Sequence, residues 1–180
     1  MLVFATTALV ILMTPGPTNT LLAAYGAALG FRRAMPMVLA EAAGYAVAIS
    51  AFASLAAMLT PFSLAALKLA AASWLLVSAR ALWRSRHAAA AIPPRAFLRV
   101  LATTVVNPKA MLVGVMLVPR GAWLQMLEYT GLFVTLSAMA GLVWVAGGSM
   151  VPEGWRKHAY RCAAVILGGF SVAAAASALQ

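Results

Sequence analysis

Three observations predict an all-α integral membrane protein. Of 180 residues, 64% are hydrophobic and 9% charged, with a mean hydropathy of +0.96. A soluble domain carries about 25% charged residues, and this chain has too few to surround a core with a polar shell. The apolar residues gather in six runs near the length of about 20 residues that takes a helix across about 30 Å of hydrocarbon. None of the runs shows the alternation over about ten residues that marks a membrane barrel, which leaves the helix as the way to pair every backbone polar group in lipid.

The runs are expected at about 2–24, 34–59, 62–79, 98–118, 124–148 and 158–179, dominated by Leu, Ala, Met and Gly. The first has no basic segment before it and exceeds a signal-peptide core, so it is expected in the mature protein. It contains Thr14-Pro15-Gly16-Pro17-Thr18-Asn19. The second follows Arg32 and Arg33 and holds Glu41 about seven residues in, or about 10 Å deep at the helical rise. The third carries Lys68 about six residues from its start, where the long stem lets the ammonium snorkel to the surface. The fourth contains Asn107-Pro108-Lys109, with Lys109 about eleven residues, or roughly 16 Å, from the span's beginning. The fifth and sixth complete an even number of crossings.

Basic residues orient the bundle. Of thirteen Lys and Arg, ten fall at three connections: Arg32 and Arg33; Arg80, Arg84, Arg86, Arg95 and Arg99; Arg156, Lys157 and Arg161. The other connections hold Arg120 alone, while Lys68 and Lys109 lie within spans. Cytoplasmic loops carry the excess of Lys and Arg, so both termini are expected outside. Trp83, Trp155 and Trp123 suit the aromatic belts at the two interfaces. A net charge of +10 would suggest nucleic acid in a soluble chain; with the charge set between apolar runs, the expected counter-charge is anionic lipid.

The segment at about 85–97, an alanine run followed by Pro93 and Pro94, reads as a basic linker between halves at about 1–84 and 98–180. Three spans per half is an odd number, so the second half begins on the opposite side of the membrane. That is the geometry of inverted repeats, in which broken helices at matching positions form a site near the midplane. Each half's first span contains a break, Pro15-Gly16-Pro17 in one and Asn107-Pro108 in the other. Each proline removes a backbone donor and clashes with the preceding turn. A kink is the plain reading of Asn-Pro; two prolines with a glycine go further and leave a half-helix beginning at Thr18, Asn19 and Thr20. An N-terminus of that kind offers unpaired N–H groups to a carboxylate.

Glu41 is the one carboxylate expected within the hydrocarbon, at a cost of about 3 kcal/mol or more if charged. Three roles are open to it: an ion pair with Lys109, a reach toward the cytoplasmic surface, or a gate and proton acceptor. Gly26, Gly30 and Gly44 are expected to let helices approach closely. His87 and His158 have no partner at helical spacing, so no metal site is expected, and the single cysteine, Cys162, can form no intrachain disulfide and faces no base. Enzyme motifs of the HExxH and GxSxG kind are missing, and no P-loop is present for hydrolysis-driven pumping.

These residues resemble one family. Residues 14–35, TPGPTNTLLAAYGAALGFRRAM, are similar to the opening signature of the LysE-type amino-acid exporters, the family of the lysine and homoserine/threonine exporters. Residues 67–85, LKLAAASWLLVSARALWRS, resemble its third span, and Asn107-Pro108-Lys109 with the following Pro119 resembles its NPK block; here Pro119 is followed by Arg120-Gly121 in place of Gln-Phe. A weaker likeness runs through residues 167–179, LGGFSVAAAASAL. The resemblance implies a multi-pass protein of the bacterial inner membrane exporting amino acids or related zwitterions, coupled to protons. The solute is then expected at Pro15, Gly16, Pro17, Thr18, Asn19, Asn107, Pro108 and Lys109, with Glu41 as the coupling candidate. The expected partners are the small-molecule solute, protons, membrane lipids and a second copy in a homodimer, with no cofactor and no nucleic acid. The competing expectation is a small channel or a structural subunit of a membrane complex.

Overall fold

The computed structural model describes residues 1–55, 58, 60–84, 95–119, 122–156 (of Arg156, the backbone alone) and 158–178. The described residues form helices and connections, with no strand among them. In chain order the helices are α1 (Leu2–Met13), α2 (Pro17–Leu29), α3 (Phe31–Ala34), α4 (Pro36–Leu55), α5 (Pro61–Arg84), α6 (Ala96–Val105), α7 (Pro108–Leu112), a π-helical turn (Val113–Leu117), α8 (Trp123–Ser149), α9 (Glu153–Arg156) and α10 (Ala159–Ala178). Among the described residues five stretches are long and apolar enough to cross a membrane: Phe31–Leu55, Pro61–Arg84, Ala96–Leu117, Trp123–Ser149 and Ala159–Ala178. A sixth is the pair α1 and α2, bent by 59° at its break.

Proline chemistry places both breaks. A residue before proline is pushed out of the helical region, and Thr14 (ψ 131°), Gly16 (ψ 173°) and Asn107 (ψ 125°) are all extended. Pro17 and Pro108 then sit at the first positions of new helices, where a missing N–H costs nothing. The first break turns the chain sharply. The second is gentler, and Ala96–Leu117 runs on as one span.

The helix bounds differ from the expected spans at the basic end. α5 runs to Arg84, so Arg80 and Arg84 belong to its last turns and not to a loop. Residues 96 and 97 of the expected linker already belong to α6, as does Arg99. The cause is burial: Leu82 and Val100 are almost wholly enclosed, and pairing their backbone in helix keeps that packing. The rest of the linker, with Arg86, His87, Pro93 and Pro94, lies outside the described residues, as do Arg120, Gly121 and Lys157.

Helices α5 and α10 are antiparallel, with Arg161 of α10 over the Trp83 ring (5.8 Å) at one end and Lys68 Nζ donating to the Ser177 carbonyl (2.6 Å) at the other. Tyr25 near the end of α2 meets Tyr160 edge-on (5.9 Å) beside Arg99. The ends of α2 and α5 and the starts of α6 and α10 therefore share one basic end. Phe4 of α1 meets Tyr129 at the start of α8 (4.7 Å), which puts the first helix's start away from that end, along with Ser177 near the end of α10. Large apolar side chains cover the outside, among them Leu2, Val3, Phe62 and Met116, each at least three-quarters exposed.

Glycines bring α2 and α8 together. A Cβ at Gly26 would lie 2.2 Å from the Val145 carbonyl oxygen, and one at Gly148 would lie 2.0 Å from that of Ala23. Gly44 likewise backs onto Thr104 (2.6 Å). Gly30 plays another part: nothing lies within 4 Å of its Cβ position, and its φ of 79° turns the chain between α2 and α3.

Candidate functional site

The interior is divided into two apolar cores. One lies toward the basic end and includes Leu21, Tyr25, Met37, Ala40, Leu75, Val100 and Val145; the other includes Leu12, Tyr45, Ile49, Ala110, Val113, Phe133 and Ala140. On α1–α2, α4 and α6–α7, which cross from one core to the other, the buried polar residues lie at the changeover; on α8, whose buried Thr130 and Ser137 sit within the second core, the changeover carries a glycine. Thr18 and Asn19 fall between Leu12 and Leu21, Glu41 between Ala40 and Tyr45, Thr103, Thr104 and Asn107 between Val100 and Ala110, and Gly141 between Ala140 and Val145. The chain thus builds one polar layer at mid-depth.

Within that layer the two breaks touch. Asn107 Nδ2 donates to Thr18 Oγ1 at 3.0 Å, and Thr18 Oγ1 shares a hydrogen bond with Thr104 Oγ1 at 3.2 Å. Asn107 Oδ1 accepts from the Lys109 backbone N–H (3.0 Å), so one side chain caps α7 and binds α2 at once. Thr104 also donates to the Val100 carbonyl at 2.9 Å.

The carbonyls released where α1 stops are gathered by side chains. Asn19 Nδ2 donates to Leu12 O (2.7 Å) and Thr14 O (3.0 Å), and Trp144 Nε1 of α8 donates to Leu12 O at 3.2 Å. Lys109 Nζ donates to Thr14 O. Its stem presses on Gly16, where a Cβ would lie 2.8 Å from Cε and Nζ. A cation suits this place because a helix C-terminus carries negative partial charge. Pro15 and Pro17 contribute no donor, and Thr20 Oγ1 turns back to the Gly16 carbonyl (2.8 Å).

Glu41 lies beside this network without joining it. It is 1% exposed, and its Oε2 has no hydrogen-bond partner. That oxygen rests on Gly141, 2.4 Å from where a Cβ would stand. Glu41 and Lys109 do not close into an ion pair; Lys109 is within electrostatic range but bonded to Thr14. A carboxylate without a partner at this depth carries a large desolvation cost, relieved by taking a proton or by meeting a cation.

The structure therefore brings Thr18, Asn107 and Lys109 together around the first break, with Asn19 behind them and Glu41 set to one side. Three contributors were not singled out from the sequence. Trp144 lies in the last two turns of α8, where the plain reading of a tryptophan is the interfacial belt; Thr104 is a threonine in a membrane helix, which commonly bonds its own backbone; and Gly141 carries no chemistry of its own. The signal for Thr103-Thr104 was its place three residues before Asn107. Among the described residues no three His, Cys, Asp or Glu gather as metal ligands. Comparison of the chain with family models, curated proteins and solved structures returns no match.

Proposed function

We propose that this chain is a secondary transporter of the LysE type that exports amino acids or related zwitterions across the bacterial inner membrane, with protons as the coupling ion. The observation that carries the reading is the contact between two interrupted spans at mid-depth, Thr18 against Asn107, with the buried Glu41 carboxyl beside it, its Oε2 without a hydrogen-bond partner. Irregular backbone at membrane depth is tolerated where it is covered by protein or lines a cavity, and helix termini there supply ion and carboxylate contacts. In this reading α1–α5 and α6–α10 are inverted repeats, the basic end faces the cytoplasm, and both termini are periplasmic.

The arrangement is that of an occluded state. The solute's carboxylate takes the N-terminus of α2 at Thr18 and Asn19; its ammonium takes the Thr14 carbonyl in place of Lys109, which is then released toward Glu41. Rocking of one half on the other opens the layer alternately to each side. Uptake of a panel of radiolabelled amino acids into inverted membrane vesicles, with and without an imposed proton gradient, tests this reading. Gradient-dependent accumulation of at least one zwitterion above vesicles lacking the chain supports it, and none across the panel contradicts it. A second reading, a structural subunit without transport, draws on the mutual bonding of the layer's polar groups; it predicts that flat result.

A further inference from the structure

A second feature runs from the edge of the polar layer toward the end opposite the basic one. A cavity of about 330 Å³ opens between α4, α5, α7 and α10 on the half opposite the basic end, with walls that include Val47, Phe52, Leu55, Leu67 and Met111. Its volume is at the lower end of small-molecule pockets, which span about 300–1,000 Å³. Val47, Leu55 and Leu67 at its margin are partly exposed on the side of the bundle, so the cavity opens laterally onto the apolar surface that faces lipid. It is not an aqueous funnel. The polar groups it meets are Lys68 and Ser177 at one end and Asn107, already bonded to Thr18, at the other.

Lys68 gives the cavity a sign. Its ammonium spends one donor on the Ser177 carbonyl in the last turn of α10 and has two more to give. None of the three acidic residues lines the cavity. An apolar slot opening sideways, with a cation that no acidic side chain among the described residues faces, is complementary to an amphiphile with an aliphatic tail and an anionic head. In a bilayer the molecule presented at that opening is a phospholipid.

We propose that this cavity is a binding site for one acyl chain of an anionic phospholipid, whose phosphate is received by the Lys68 ammonium. The tail lies along Phe52, Leu67 and Met111, replacing the void contacts a packed interior would not leave empty. The lipid thereby bridges α4 and α5, which pack mainly on other helices and not on one another.

The test uses the full chain reconstituted in nanodiscs with phosphatidylglycerol carrying a photoreactive diazirine in one acyl chain. Labelling is expected on peptides of α4 and α5 around Phe52 and Leu67, falling at least about fivefold with Lys68→Gln. Val47→Trp, at a partly exposed position on the cavity margin, should abolish it by filling the slot while leaving the helical content unchanged. Equal labelling by a phosphatidylcholine probe would overturn the assignment. So would labelling by photoreactive oleate but not by the phospholipid, and so would labelling indifferent to both substitutions.

Discussion

The side-chain amide of Asn107 donates to Thr18 Oγ1 at 3.0 Å, between residues 89 positions apart in the chain and both almost wholly buried. Each break thus satisfies the polar group that the other exposes. An interruption in one span alone would leave a donor or acceptor in an apolar interior, at about 1–3 kcal/mol for each group.

Thr18→Val removes the acceptor and strands the Asn107 amide, with an expected loss of about 1–3 kcal/mol. Asn107→Leu removes the same bond together with the cap of α7, and caps are worth about 0.5–2 kcal/mol. The double variant should fall short of the sum by a coupling of about 0.5–3 kcal/mol, as for residues in one network. Denaturant unfolding of the four proteins in detergent measures it, and strict additivity would count against the shared bond.

Two glycines of α8 should behave in opposite ways. Gly148→Ala drives a methyl into the Ala23 backbone carbonyl, so it should destabilise by about 1–3 kcal/mol or more through overpacking. Gly141→Ala meets the free end of the Glu41 side chain, which can swing aside. It should leave the melting temperature nearly unchanged and alter gradient-dependent uptake. Matched thermal melts and vesicle assays on the two variants separate these effects.

Glu41→Gln keeps the shape and removes the ionisable group. Because Oε2 holds no hydrogen bond that the amide would break, expression and melting should hold while the response of uptake to an imposed proton gradient is lost. Lys109→Met should cost stability as well, since it removes one of the two side-chain donors on the Thr14 carbonyl and leaves Asn19 alone there. Gradient-coupled uptake that survives Glu41→Gln would make Glu41 a bystander.

Orientation has its own test. In a Cys162→Ala background, cysteine at Gln125, on the end away from the basic residues, should react with a membrane-impermeant thiol reagent in intact cells. Cysteine at Gly154, beside the basic end, should react only after the cells are opened. The reverse pattern would turn the bundle over and remove the periplasmic assignment of the termini.

The spans were legible because hydrocarbon thickness imposes a length on every crossing, and the breaks because proline before Gly16 and Lys109 forces extended backbone at Thr14 and Asn107. The bend of 59° was not legible, since it depends on what Trp144 and Asn19 do with the carbonyls of Leu12 and Thr14. The matched positions of the two interruptions lead one to expect that Pro15–Asn19 and Asn107–Lys109 meet at the bundle centre, but not that Asn107 bonds Thr18. Pairing across 89 positions is decided by the close approach of α2, α4 and α6, in which Gly44 backs onto Thr104. The placing of Arg80 and Arg84 beyond the third span failed for a simpler reason: arginine in the last turns of a membrane helix extends its head to water while its backbone stays helical.

In the proposed transporter the interrupted first span forms the transport path, and the Pro15→Ala/Pro17→Ala double variant removes that interruption. Alanine restores two backbone donors and lets the chain close helical bonds across residues 14–17, which consumes the groups offered to a solute. Gradient-driven uptake of amino acids into inverted vesicles should disappear in this variant while its melting temperature stays equal to or above that of the parent chain. Uptake at the parent rate by a variant whose helical content has risen would show that the break is not needed for transport.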